Sequence, residues 1–292
     1  MIAAPLLEPA VLRRLETLSL QVRRSVSGEM SGERRSRRHG RSVEFADFRV
    51  YVPGDDFRLI DWKAYARLDR FLLRLFHAEE ELPLSIFVDL SASMDWGEPN
   101  KAWTARRLAG ALAYVALKAL DRVRVTVFAD SPLAGGPPSR GRRGASELFQ
   151  RLQRFPVGGR TDYARLTVPI GRQRPGMSLL ITDGLGEAEI EPALIALQRA
   201  RQEGALLQLL APQELTPEWA GDARLRDAET GAERDFTHTP GATSAYLAAL
   251  DGRSRDLESK AHRHGLRFAQ LSSAEPVEAM VGRTLRGIGL LH

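Results

Sequence analysis

The sequence predicts an α/β protein: a mostly parallel central sheet, flanked by helices, with an N-terminal extension. Two observations carry that prediction. From Leu84 onward, apolar runs of strand length alternate with longer stretches of helical periodicity. Two of those runs, 84–90 and 177–181, are almost continuously apolar, as strands covered on both faces must be. The absence of cysteine excludes a disulfide framework, a thiolate nucleophile and any cysteine-ligated metal as the organising element instead.

Taken in order, residues 9–22 place Val11, Leu12, Leu15, Leu18 and Val22 at helical spacing, an amphipathic helix that needs a surface to lie on. Residues 25–42 are rich in Gly, Ser and Arg and read as loop. Residues 40–81 mix aromatics with charges of both signs. Pro53-Gly54-Asp55-Asp56 marks a turn there, Trp62 reads as buried packing and 71–77 as a strand. The α/β rhythm follows, with strands at 84–90, 122–129, 177–181, 205–211 and 266–271. Helices are expected at 101–120, 145–155, 163–171, 190–202, 244–264 and 276–286. The expected division is an extension over 1–80 and an α/β body over 81–292.

Composition narrows the function. Of 292 residues, 43% are apolar and 27% charged, an ordinary globular balance. The net charge of +5 is local: 23–41 holds seven arginines against two glutamates. That leaves 35 of the 42 basic and 35 of the 37 acidic residues elsewhere. The cluster Arg34–Arg41 lacks interleaved aromatics, so a solvated basic loop is favoured over a nucleic-acid surface. No apolar run approaches the ~20 residues of a membrane span. No basic segment precedes a long apolar stretch at the start either, so the expected location is cytoplasmic.

In a parallel sheet, ligands bind beyond the carboxyl ends of the strands. The first core strand ends in Asp89, followed by Ser91 and Ser93. A later strand leads into Thr182-Asp183-Gly184, and Gly158-Gly159 precedes Thr161. Singly, such hydroxyls are most often helix caps and such an acid a turn residue. Together, Asp89, Ser91, Ser93, Thr161 and Asp183 form an all-oxygen set, which suits Mg²⁺ or Mn²⁺ and not zinc. The six histidines are scattered, and no phosphate-loop lysine pattern occurs.

These five positions resemble the metal-ion-dependent adhesion site of von Willebrand factor type A domains, which have a Rossmann-like fold. By that resemblance, Ser91, Ser93 and Thr161 offer hydroxyl oxygens while Asp89 and Asp183 act largely through water or as the charged anchor. The segments Glu44-Phe45-Ala46-Asp47-Phe48-Arg49-Val50-Tyr51, Pro53-Gly54-Asp55-Asp56-Phe57-Arg58-Leu59-Ile60-Asp61-Trp62 and Arg224-Leu225-Arg226-Asp227-Ala228-Glu229-Thr230-Gly231 extend the likeness. With them, the chain resembles the DUF58 family over nearly its whole length. Many members of that family begin with two membrane helices, which this sequence lacks. The resemblance implies a non-enzymatic adaptor that binds an acidic group through its metal. It also implies a MoxR-type AAA+ ATPase as partner and a client protein yet to be identified. Two rivals stand beside it. One is a Mg²⁺-dependent phosphohydrolase with Asp89 as nucleophile, although Ser91 stands where such enzymes carry a second aspartate. The other is nucleic-acid binding through Arg34–Arg41, which predicts affinity that falls steeply with salt.

Overall fold

Strands that are apolar on both sides need cover on both sides, and the order of elements along this chain supplies it. The computed structural model describes residues 5–21, 45–76, 83–119, 121–130, 133–218, 221–237 and 239–292. The Arg34–Arg41 cluster lies outside the described residues. By compactness the chain divides into Ser27–Glu81 and a larger unit made of the rest. The expected boundary at residue 80 grouped the first helix with the extension. The structure groups it with the body, because helix α1 (Pro9–Leu15) buries Val11 and Leu15 in the body's core.

Ser27–Glu81 is built on strands β1 (Phe45–Val50) and β2 (Leu72–Phe76), paired antiparallel around helix α2 (Trp62–Leu68). Asp61 caps α2 by accepting from the Lys63 and Ala64 N–H groups at 2.9 and 3.0 Å. Tyr65 stacks on Phe71 at 4.4 Å, with Trp62 edge-on to both. Trp62, expected to be buried, is 58% exposed, because the ring contacts that hold it leave much of the indole at the surface.

The body runs β3 (Pro83–Asp89), α3 (Lys101–Lys118), β4 (Arg122–Phe128), β5 (Ala134–Gly135), β6 (Ser139–Arg140), α4 (Gly141–Arg154) and α5 (Thr167–Gly171). It continues through β7 (Gly176–Thr182), α6 (Glu191–Arg199), β8 (Gln202–Leu210), α7 (Pro212–Leu215), β9 (Asp222–Arg226) and β10 (Glu233–Thr237). It closes with α8 (Pro240–Arg263), β11 (Arg267–Ser272) and α9 (Val277–Ala279), which leads into a π-helical stretch, Met280–Leu285. The main sheet has the order β11-β8-β7-β3-β4-β5. Its five long strands are parallel, while the short β5 and β6 return antiparallel on β4.

Alternation splits each strand between two cores. Ile86 and Val88 pack with Leu108, Leu112 and α1 on one face. Phe87, Leu180 and Leu206 pack with Leu194 and Leu257 on the other. The chain leaves β3 in one direction for β4 and later returns to its other side for β7. The carboxyl ends of β3 and β7 are therefore the place where the strand order reverses, the location that open α/β sheets use for ligands.

The expected strands and helices of the body appear with shifts of a few residues at their ends. The first helix is the exception, stopping at Leu15 instead of Val22. Beyond it the backbone pairs with the end of the chain. Ser19 and His292 exchange N–H···O bonds of 3.1 Å, and the Gln21 N–H donates to Leu290 O at 2.9 Å. Those sheet-like bonds satisfy the backbone better than another helical turn of Thr17, Ser19 and Val22 would. No helix among the described residues is long and apolar enough to cross a membrane.

Leu15 is fully buried. Leu15→Ala is expected to lower stability by about 2–5 kcal/mol in urea denaturation, the usual cost of emptying such a site. A loss within about 0.5 kcal/mol, as for a surface change, would mean that α1 is not docked.

Candidate metal centre

The site begins with a buried charge. Asp89, the last residue of β3, is completely shielded from solvent, so the chain around it must supply hydrogen bonds. The backbone turns back over it. The Ser91 N–H donates to Asp89 Oδ1 at 2.9 Å, and a short 3₁₀ turn, Ala92–Met94, follows. A second loop is stitched on from the side: the Gly158 N–H donates to Leu90 O, and the Ala92 N–H to Gly159 O, both at 2.9 Å. Gly159 has φ +80°, and a Cβ there would stand 2.0 Å from Asp130 Oδ1, so glycine is required. That loop delivers Thr161. The cleft beneath it, about 270 Å³, is walled by Leu90, Val127, Ala134 and Val157.

Four of the five expected residues are brought together. Ser91 Oγ lies 3.1 Å from Ser93 Oγ and 3.0 Å from Thr161 Oγ1, and Thr161 Oγ1 lies 3.2 Å from Asp89 Oδ2. Asp89, Ser91 and Thr161 are buried, whereas Ser93 is half-buried and opens the cluster to the surface. Asp183 lies close enough to act electrostatically on Asp89, but its Oδ2 accepts from Lys101 Nζ at 2.8 Å. The same ammonium donates to Glu214 Oε1 at 2.6 Å, and Lys101 is 1% exposed. Asp95 is outside the cluster, exposed and bonded to Asn100. Met94 is buried in the core, whereas Trp96 is exposed.

Sequence reasoning missed five participants. Thr182 donates to Asp89 Oδ2 at 2.7 Å and is itself bonded to the Tyr163 hydroxyl at 2.8 Å. Glu229 accepts from Thr161 at 2.8 Å. Lys101 stands between Asp183 and Glu214 and shares its one positive charge with both. Thr182 was legible, adjoining an acid already singled out. The signal for Lys101 was faint: it is one of four lysines in an arginine-rich chain, and it opens a helix. Glu214 had none, being joined to the site only by the fold, whereas Glu229 stood in the Arg224–Gly231 segment that extends the family likeness.

The electrostatics follow from burial. Asp89 is pushed up to about 7, first by desolvation and then by Asp183; the Ser91 and Thr182 hydrogen bonds only partly offset this. Burial alone would lower Lys101, but the Asp183 and Glu214 charges outweigh it and the net shift is upward. Glu214 is raised by burial despite the pull of Lys101.

The donor set is short of protons. A hydroxyl owns one proton, yet Thr161 Oγ1 faces two carboxylates and Ser91 Oγ, all within 3.2 Å. A cation relieves that shortage by drawing on the lone pairs. Adjacent Mg²⁺ ligands, each at roughly 2.0–2.1 Å in octahedral geometry, are about 2.9 Å apart, close to the hydroxyl spacings here. The residues thus fit a hard divalent ion, with Ser91, Ser93 and Thr161 to hold it and Asp89 as the charged anchor. Among the described residues, no three histidine or carboxylate side chains cluster as a metal site.

Comparison with known proteins places these observations. The family described as "Protein of unknown function DUF58" matches residues 47–254. The uncharacterized protein Rv1480 of Mycobacterium tuberculosis is 28% identical over 257 residues, covering 86% of this chain and 81% of that protein. Among solved structures, the conserved hypothetical protein BatB from Bacteroides thetaiotaomicron aligns at 15% identity with a TM-score of 0.43. The match covers 71% of this chain and 98% of that one. The SpRpn10 VWA domain aligns at 8% identity with a TM-score of 0.39, over 70% of this chain and 95% of that one.

Two expectations follow from the charges. Lys101→Met leaves Asp183 and Glu214 buried without their cation and is expected to cost about 3–5 kcal/mol in urea denaturation. Adding Glu214→Gln should recover part of it; a loss under about 1 kcal/mol would mean the pair is solvated. For Asp89, the folded protein holds the proton more tightly than the unfolded chain does. Its contribution to metal-free stability therefore declines as pH rises from 3.8 to about 7. In chelator, the melting temperature of Asp89→Asn relative to wild type should rise between about pH 4 and pH 7 and level off above that. Parallel curves would contradict the assignment.

Proposed function

The chain belongs to the DUF58 family, and we propose that it is a non-enzymatic adaptor that binds an acidic group on another protein through Mg²⁺ or Mn²⁺. The observation that carries this reading is the convergence of the Ser91, Ser93 and Thr161 hydroxyls beside Asp89 at the strand-order reversal. A divalent ion there supplies positive charge that Asp89 alone does not cancel, which attracts a further acid. Asp183 is drawn instead to Lys101, an ammonium that it shares with Glu214. The set therefore suits recognition, with Asp89 left to the metal beside an acid position that a partner can fill.

The family resemblance adds the rest of the proposal. The partner is a MoxR-type AAA+ ATPase, the pair acts on a client protein, and the work is cytoplasmic. The phosphohydrolase alternative fares worse on the geometry. A nucleophilic Asp89 needs a free oxygen aimed at substrate. Here Oδ1 accepts from the Ser91 N–H, and Oδ2 faces Thr182 and Thr161. Lys101, the lysine bonded to Asp183, spends its charge on Asp183 and Glu214 and offers none to a phosphoryl group.

The test joins metal binding to association. Calorimetry should show Mg²⁺ or Mn²⁺ binding that is lost in Asp89→Ala and weakened at least about tenfold in Ser91→Ala, both variants staying folded by circular dichroism. Affinity capture from host lysate should retain an AAA+ ATPase with wild type in Mg²⁺, and lose it in chelator and with Asp89→Ala. The loss belongs to the ~1.5–7 kcal/mol range of close interfacial charge pairs. Equal retention in all three samples would refute the adhesion mechanism.

A further inference from the structure

The hairpin of β9 and β10 is a largely exposed polar arm whose turn reaches the site through Glu229. Every residue from 221 to 235 is exposed except Glu229, which is half-buried. Its turn is tightly specified. Asp227 Oδ1 accepts from the Glu229 N–H at 3.1 Å, the Thr230 N–H at 2.6 Å and Thr230 Oγ1 at 2.7 Å, and Gly231 sits at φ +71°. Those bonds fix the backbone on either side of Glu229 and present its side chain outward from the turn. Oε1 then accepts from Thr161 Oγ1 at 2.8 Å, the shortest contact that this hydroxyl makes. Oε2 lies where a Cβ on Gly186 would be 3.5 Å away, so the carboxylate is seated between the Thr161 loop and the segment after Asp183.

We infer that Glu229 is the site's own acidic ligand, holding the position that a partner's carboxylate takes when the adaptor engages. This rests on the metal-dependent reading above and deepens it. A partner is recognised by an acid presented on a protruding turn, because that is the shape and charge it displaces. Within residues 222–237 none is buried and only Glu229 and Phe236 are half-buried, so withdrawal exposes little apolar surface, and such segments open at low free-energy cost. Apparent affinity for an outside acid is the intrinsic affinity reduced by the fraction of molecules with the arm withdrawn. Glu229 therefore sets the threshold a partner must exceed.

The test uses the full-length chain and a blocked tripeptide, acetyl-Ala-Glu-Ala-amide, titrated in saturating Mg²⁺, with Mg²⁺ calorimetry run alongside on each protein. Glu229→Ala and the nearly isosteric Glu229→Gln should each bind the peptide at least about tenfold more tightly than wild type. Chelator should abolish the gain, as should adding Ser91→Ala. If wild type and both variants bind Mg²⁺ but do not differ toward the peptide, the assignment of Glu229 is wrong and the metal site stands. If none of the proteins binds Mg²⁺ or Mn²⁺, the metal reading fails and this inference with it.

Discussion

A carboxylate placed at the end of the central strand, with no access to water, is the constraint on which the rest of the site depends. An isolated ionised acid in such a place is costly by many kcal/mol unless the protein substitutes for hydration. Each local feature around Asp89 answers that demand. The backbone doubles back so that an N–H reaches it, Thr182 turns inward from the neighbouring strand, and a glycine loop brings Thr161 across. The hydroxyls that solvate the acid are the same groups that suit a hard cation. Structural need and ligand chemistry are met by one set of oxygens.

The two aspartates at this edge are neutralised in different ways. Asp183 has a permanent internal counterion, Lys101, which also ties Glu214 and so binds the start of α3 to the segments after β7 and β8. Asp89 has only hydrogen bonds, and its balance is left to an exchangeable positive species, whether proton or divalent ion. That asymmetry separates a fixed joint of the scaffold from a responsive site one strand away. Burial sharpens both, since charges interact most strongly where water is absent.

The sheet was readable from sequence wherever burial dictates residue type. The runs ending in Asp89 and Thr182 are apolar on both faces, and their positions follow from that alone. Asp89, Ser91, Ser93 and Thr161 were readable because they follow strands or a Gly-Gly loop, where the fold class puts ligands. What was not readable depends on distant pairing. The β9–β10 hairpin has no apolar alternation, since all five residues of β9 are exposed, so no period announced it as strand. The first helix was read too long because its helical spacing ran on through Leu18 and Val22. The competing pairing with Leu290 and His292 was visible only in three dimensions.

That pairing also bears on how the chain reaches its fold. Ser19 meets His292 across a separation of 273 residues, and the Lys118 side chain reaches back to the Leu15 carbonyl across 103. Contacts so far apart in sequence close late, because loop entropy must be overcome before they contribute anything. The seam between residues 19–21 and 290–292 therefore carries a loop-closure cost that no local helix or hairpin bears.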